Sequence, residues 1–272
     1  MNVRKIDDFK NDIKLAVKIL NENTEYSYCR NLIDKVFKDN NHYDKKDVYI
    51  RLTVIDSLYS TNMSKRLFGI SDLAEKIFAI GNDKKINEEI EKYKKDETSK
   101  IDDLLKGTYG IKKDGKEAGH ARSLISKYLY FVTNHNFPIE DSLVKKNLHK
   151  VLKYYGLDEN KKNEVLLKQI VKLCNDPSIR FDEFDNFMWL FGKINNGSLS
   201  LITDKDKCEK IIGTIDVEGK SSCKINEIIA KQLKDEEFID EHFKDDDIKE
   251  FLMLSIKINN EEKIKKNKRK NV

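Results

Sequence analysis

Two residues in the middle of the chain carry side chains that can do chemistry together. Lys127 lies late in the run Gly119-His120-Ala121-Arg122-Ser123-Leu124-Ile125-Ser126-Lys127-Tyr128-Leu129-Tyr130-Phe131, and Asp141 lies just past the break from Asn134 to Pro138. A neutral amine is a nucleophile toward an electrophilic carbon, and a fixed carboxylate stabilises positive charge that builds on that carbon. An ordinary lysine, with a pKa near 10.4, is only about 0.04% neutral at pH 7. Bringing the pKa to about 7.4 leaves roughly a quarter of it neutral at a cost of about 4 kcal/mol, and partial burial against aromatic rings is one way to do so. On a helical wheel Leu124, Ile125, Tyr128, Leu129, Phe131 and Val132 form one broad apolar face, with Lys127 at its rim beside Phe131. That position predicts a partly dried amine. A snorkelling lysine whose stem covers apolar surface fits the same periodicity. Asp141 opens the next helical pattern, where a carboxylate also serves as N-cap or first-turn acid, so a capping role and a chemical role are compatible there.

The elements that must hold this pair are helical by period. Ile6, Phe9, Ile13, Ala16, Val17 and Leu20 recur at steps of three and four and predict a helix over residues 6–20, and Tyr28, Leu32, Ile33, Val36 and Phe37 predict a second over 25–38. From Val48 to Leu58 apolar residues occupy nearly every face, which predicts a helix in the middle of a core. Ser71 is placed to cap a helix over 71–79. Residues 81–100 are polar apart from Ile86, Ile90 and Tyr93 and read as an exposed helix or a connection. Gly107, Gly110, Gly115 and Gly119 punctuate the approach to Lys127, and the two prolines, Pro138 and Pro177, fall between helical patterns. The pattern resumes over Leu143 to Leu152, Val165 to Leu173 and Phe181 to Ile194. Past Asn195-Asn196-Gly197 the composition shifts, and Leu199 to Thr203 and Ile211 to Val217 are read as short strands before helices at 224–233 and 248–258. The expectation is a mainly α protein, with a helical core over 1–200 and a mixed or helical region with a basic tail over 201–272.

Composition limits the functions open to such a chain. Its 272 residues suffice for one large or two small domains, and 39% hydrophobic beside 37% charged residues is the balance of a protein rich in surface helix. No apolar run approaches membrane-spanning length, and the N-terminus shows no secretory pattern, so a cytoplasmic setting is expected and no membrane partner. Cys29, Cys174, Cys208 and Cys223 are too scattered to wrap a zinc ion or an iron–sulfur cluster. The five histidines form no H-E-x-x-H pair, and neither a phosphate-binding G-x-x-x-x-G-K-[ST] loop nor a G-x-S-x-G elbow occurs. No metal or cofactor is called for. The formal net charge is only +4, but it is unevenly spread: nine Lys/Arg face four Asp/Glu from Lys112 to Lys153, and nine Lys face fifteen Asp/Glu from Asp204 to Glu250. A basic middle suits a nucleic-acid partner, although a solvated helix face has the same composition.

Ser126-Lys127-Tyr128, followed by Asn136-Phe137-Pro138-Ile139-Glu140-Asp141-Ser142, resembles the lysine and aspartate segment of the helix-hairpin-helix DNA glycosylases, in particular the 8-oxoguanine DNA glycosylase branch. The stretch from Arg51 to Leu67 is similar to that family's buried helix and the turn that fills the hole left by a flipped nucleotide. Trp189-Leu190-Phe191-Gly192-Lys193 is similar to a late helix that returns to the first lobe, so the resemblance spans roughly residues 45 to 195. The chain departs from the family at the hairpin, where Glu117-Ala118-Gly119-His120-Ala121-Arg122 has one glycine in place of two, and in a shorter lysine-to-aspartate interval.

The resemblance implies a two-lobed helical bundle that acts as a monomer on double-stranded DNA near the nucleoid and excises a damaged or modified base. Lys127 would attack the anomeric carbon of an extruded nucleotide and form a Schiff base, Asp141 would stabilise charge on the sugar, and strand cleavage by β-elimination would follow. Asn62 would fill the vacated stack, with Tyr59 or Met63 as wedge or as core, and Ser60, Lys65, Arg66, His120 and Arg122 would contact the DNA. For His120 a plain surface role fits equally. Two other readings remain open on the residues alone: a non-catalytic DNA-binding protein of the same fold, and a helical interaction module with Asp235 to Asp247 as its partner surface.

Overall fold

A computed structural model describes residues 3–38, 44–111, 120–157, 165–215 and 217–270. Fourteen α-helices follow one another among these residues: α1 Val3–Asn21, α2 Thr24–Lys38, α3 Lys45–Tyr59, α4 Gly69–Ile80, α5 Asp83–Lys94, α6 Lys100–Lys106, α7 Arg122–Val132, α8 Ser142–Tyr154, α9 Leu166–Leu173, α10 Phe181–Asn195, α11 Lys205–Gly213, α12 Ser222–Gln232, α13 Glu236–His242 and α14 Asp246–Lys270. Short 3-10 turns occur at Met63–Lys65 and Leu199–Leu201. The mainly α expectation holds, and the two expected strands do not form. Leu199–Leu201 is a 3-10 turn, and the segment opening at Ile211 begins as the end of α11, which starts where the Asp204 side chain accepts from the Lys207 amide. A helix with a competent cap needs no partner strand, whereas a lone three-residue strand has unpaired backbone groups on both sides.

Contacts divide the chain into two compact units, one of residues 25–142 and 164–182, the other of residues 1–24, 143–163 and 183–272. Residues 183–272 thus run through position 200 within a single unit.

The first unit is built around α7, against which α3, α5 and α6 pack. Every residue from Leu124 to Phe131 is buried, Lys127 included. The rim position expected for Lys127 is therefore replaced by full enclosure, because neighbouring helices cover the polar side of the wheel as well as the apolar one. Conversely α3 is less central than its apolar content suggests. Val48, Leu52 and Ile55 face the core, while Tyr49, Ile50 and Leu58 remain 45, 48 and 39% exposed. This helix starts in a capping box between Asp44 and Asp47 and stops at Ser60, whose backbone is left-handed at φ 50°.

α4 begins two residues before the expected cap: Phe68 holds the N-cap position, and Ser71 lies within the helix. α5 buries the apolar stripe Ile86, Ile90 and Tyr93, and so belongs to the core side of residues 81–100. The loop before α7 returns to α4 through Gly110, whose amide donates to Asp72 at 3.0 Å. At φ 86°, a Cβ on Gly110 would lie 2.8 Å from the Leu67 carbonyl oxygen, which leaves room only for glycine.

The second unit is held by an aromatic cluster. Phe9 of α1 meets Tyr155 in a tilted contact at 4.5 Å and Phe187 of α10 edge-on at 5.5 Å, and Phe187 in turn meets Phe251 of α14 at 5.7 Å. Gly197, at φ 77°, ends α10 where a Cβ would fall 2.0 Å from the Asn226 carbonyl, so α12 can lie directly against the turn.

Candidate functional site

The Lys127 and Asp141 side chains meet inside the first unit, with Nζ 3.5 Å from Oδ2. Two further groups surround the amine. Nζ donates to Ser123 Oγ at 3.1 Å, one helical turn back, and lies over the Tyr59 ring at 5.2 Å from its centroid. Lys127 is 3% exposed.

Asp141 reaches this position because the turn leaving α7 is fixed at several points. Asn134 and His135 are left-handed at φ 51° and 68°, and this reverses the chain. The His135 ring stacks on Tyr130 at 4.6 Å, its Nε2 lies 2.7 Å from Asp34 Oδ1, and Arg30 Nη2 lies 3.1 Å from its Nδ1. Arg30 also donates to the Tyr130 hydroxyl. The turn is thereby tied to α2. Closer to Asp141, the Glu140 amide donates to Ser126 Oγ at 2.9 Å, and the same hydroxyl donates to the Ser123 carbonyl at 3.2 Å. Ser126, adjacent to Lys127 in sequence, so sets the height at which the carboxylate enters.

The expected DNA-contacting residues fall into two groups. Ser60 and Asn62 are exposed on the turn after α3, Asn62 at φ 62° with its Nδ2 donating to the Ser60 carbonyl at 2.9 Å. Lys65 is exposed on the same turn. The turn itself hangs on Asp56, a buried carboxylate that accepts from the Met63 amide at 2.8 Å, the Ser64 amide at 2.9 Å and the Thr61 hydroxyl. Burial on its own would raise the Asp56 carboxyl, but these hydrogen bonds outweigh it and hold the group below the ordinary value of 3.8. Met63 is 2% exposed and packs as core, while Tyr59 is half-buried beside Lys127.

The second group is turned toward the protein. Arg66 donates Nη1 to the Thr108 carbonyl at 2.7 Å. His120 is exposed and places Nδ1 2.8 Å from the Lys106 carbonyl. Arg122 pairs through Nη1 with the buried Glu140 carboxylate at 3.2 Å, so its guanidinium is occupied by an internal acid. Glu117, Ala118 and Gly119, on which the hairpin comparison rests, lie outside the described residues, as does Gly115.

The sequence pattern assigns no role of their own to Ser123, Ser126, Glu140 and Asp56. Ser123 had a signal, since a hydroxyl four residues before a lysine shares its helix face. Asp56 had a weaker one, an acid within an otherwise apolar helix face. Among the described residues there is no group of three or more His, Cys, Asp or Glu that could hold a metal ion, and no helix is long and apolar enough to cross a membrane.

These features describe a mainly α protein in which a buried lysine is paired with a partly exposed carboxylate. A family model described as an N-terminal domain matches residues 12–137, a span that includes Lys127 and stops short of Asp141. No curated protein and no solved structure matches the chain.

Proposed function

We propose that the chain is a DNA glycosylase that excises a damaged or modified base from double-stranded DNA through a Schiff base at Lys127. The observation that carries this reading is the 3.5 Å approach of the Lys127 amine to the Asp141 carboxylate within an enclosed, aromatic-lined setting. In the reaction, the neutral Lys127 amine attacks the sugar C1′ and the C1′–N bond breaks. Its electron pair leaves with the base, which takes up a proton. Ring opening then gives a protonated imine on Lys127, and Asp141 faces the positive charge. Abstraction of a C2′ proton and loss of the 3′ phosphate would cut the strand. The exposed turn of Ser60, Asn62 and Lys65 adjoins Tyr59 in sequence and is the segment offered to the duplex. A nucleoid-associated, cytoplasmic monomer fits this activity.

Borohydride trapping tests it: the protein is mixed with duplexes bearing oxidised, alkylated or deaminated bases and reduced. A covalent protein–DNA adduct that Lys127→Gln abolishes is expected. No adduct on any duplex, or equal trapping in the variant, would contradict the reading.

The near-complete burial of Lys127 and the pairing of Arg122 with Glu140 favour a second reading, in which the ion pair only holds the fold of a DNA-binding or helical interaction protein. DNA affinity that falls with salt and is indifferent to Lys127→Gln distinguishes it.

A further inference from the structure

α14 runs from Asp246 to Lys270, and its early and late parts differ in kind. Phe251, Leu252, Leu254, Ile256 and Ile258 are buried, and the helix packs against α1 and α13. Past Ile258 the sequence holds one apolar residue, Ile264, before the helix ends at Lys270. Such a stretch offers a core little to hold. Charge changes sign along the same unit. Residues 204–250 carry nine Lys against fifteen Asp/Glu, whereas Lys263, Lys265, Lys266, Lys268, Arg269 and Lys270 follow with no acid among them. At a rise of about 1.5 Å per residue, Lys263 to Lys270 spans about 10.5 Å, so these charges stand about one per 1.8 Å of helix axis. Duplex DNA carries one phosphate charge per about 1.7 Å.

We propose that residues 263–270 are a docking surface for the phosphate backbone of nucleic acid, recognising charge density and not sequence. The helical backbone spaces cations three and four residues apart, Lys265 with Arg269 and Lys266 with Lys270 among them. Like charges at that spacing oppose one another in water, and phosphates of matching density relieve them. The negative pole of the helix macrodipole, which lies at this end, favours cations as well. A membrane is the poorer partner, since a helix that lies on lipid needs an apolar face to sink into it, and a single isoleucine supplies none. The surface belongs to the unit that does not contain Lys127 and Asp141, so it adds affinity without entering the proposed reaction.

Its test uses undamaged duplex DNA titrated with the full chain across a salt series, so it is read independently of base excision. Replacing the Lys and Arg residues of 263–270 with Gln is expected to weaken binding roughly a hundredfold at about 0.1 M salt, and to lower the slope of log K against log salt by about 3 or more. Replacing the exposed Lys205, Lys210, Lys224, Lys231 and Lys234 of the same unit with Gln is the control, expected to change affinity by about twofold at most. Circular dichroism confirms that both variants keep the helical fold. No duplex binding by the full chain, an unchanged slope in the first variant, or an equal loss in the control would overturn the proposal. So would binding to phosphatidylserine vesicles that the first variant loses while its duplex affinity stays. A slope lost with the 263–270 charges sustains it even if no borohydride-trapped adduct forms, an outcome that counts against the glycosylase reading alone.

Discussion

Arg51 and Lys127 are buried cations of one helical unit, 2 and 3% exposed, and their partners differ in kind. Arg51 forms a two-pronged pair with Asp83, at 2.8 and 3.1 Å, donates to the Phe37 carbonyl at 3.1 Å and lies 4.7 Å from the centroid of the Phe37 ring. Its planar fork is matched to its carboxylate. Lys127 meets a hydroxyl at 3.1 Å and one carboxylate oxygen at 3.5 Å. The contrast is between a guanidinium matched to a carboxylate as a two-pronged fork and an ammonium that meets a hydroxyl and a carboxylate oxygen as a point charge. Arginine cannot lose its proton in a protein, and lysine can.

The largest effect expected from this contrast is on stability. Arg51→Ala leaves Asp83 without its fork and should cost about 3 kcal/mol in urea unfolding. Lys127→Met keeps the volume and leaves Asp141, which is partly exposed, to water. A cost of about 1 kcal/mol or less is expected for it. Equal costs would place Lys127 among the purely structural pairs and weaken the distinction.

A smaller effect compares two carboxylates across pH. Asp56 is held below 3.8, so its contribution to stability is present above the unfolded-state value and is lost as pH falls through the lower folded-state value. Asp12 goes the other way. Burial raises it above 3.8 despite the hydroxyl of Tyr155 at 2.5 Å, so its contribution is present below the unfolded-state value and lost as pH rises through the folded-state one. Thermal melts should show Asp56→Asn losing stability at pH 7 by about 2 kcal/mol, with the variant's disadvantage shrinking in acid. Asp12→Asn should be neutral to slightly stabilising at pH 7, by about 2 °C at most. A variant of Asp56 that melts like wild type at pH 7 would remove the reason for the turn's fixed shape.

Much of the helical layout was legible because periodicity reports burial directly. The stripe of Ile6, Phe9 and Ile13, and the aromatic run of α10, could hardly be read otherwise. The errors arise where periodicity is silent. α3 carries apolar residues on all faces, and only tertiary packing decides that Tyr49 and Ile50 stay in solvent. The 199–203 and 211–217 segments have β-branched residues but also a capping aspartate at 204, and the cap prevailed. For the site, the proximity of Lys127 and Asp141 follows from their places on either side of one reversal. Its supports do not: Ser126, Glu140 and His135 act through contacts across the turn or between distant segments that no local pattern displays. Arg122 shows the converse. A basic residue at a helix start suits a phosphate in sequence, yet the internal carboxylate of Glu140, 18 residues further along the chain, takes its guanidinium.

In the proposed reaction Lys127, and no other lysine of the chain, is the amine that bonds to the sugar. Peptide mapping of a borohydride-reduced protein–oligonucleotide adduct tests it most directly. The sugar-derived mass is expected on the peptide containing Lys127; the same mass on Lys65 or another exposed lysine, with Lys127 unmodified, would overturn the proposed reaction.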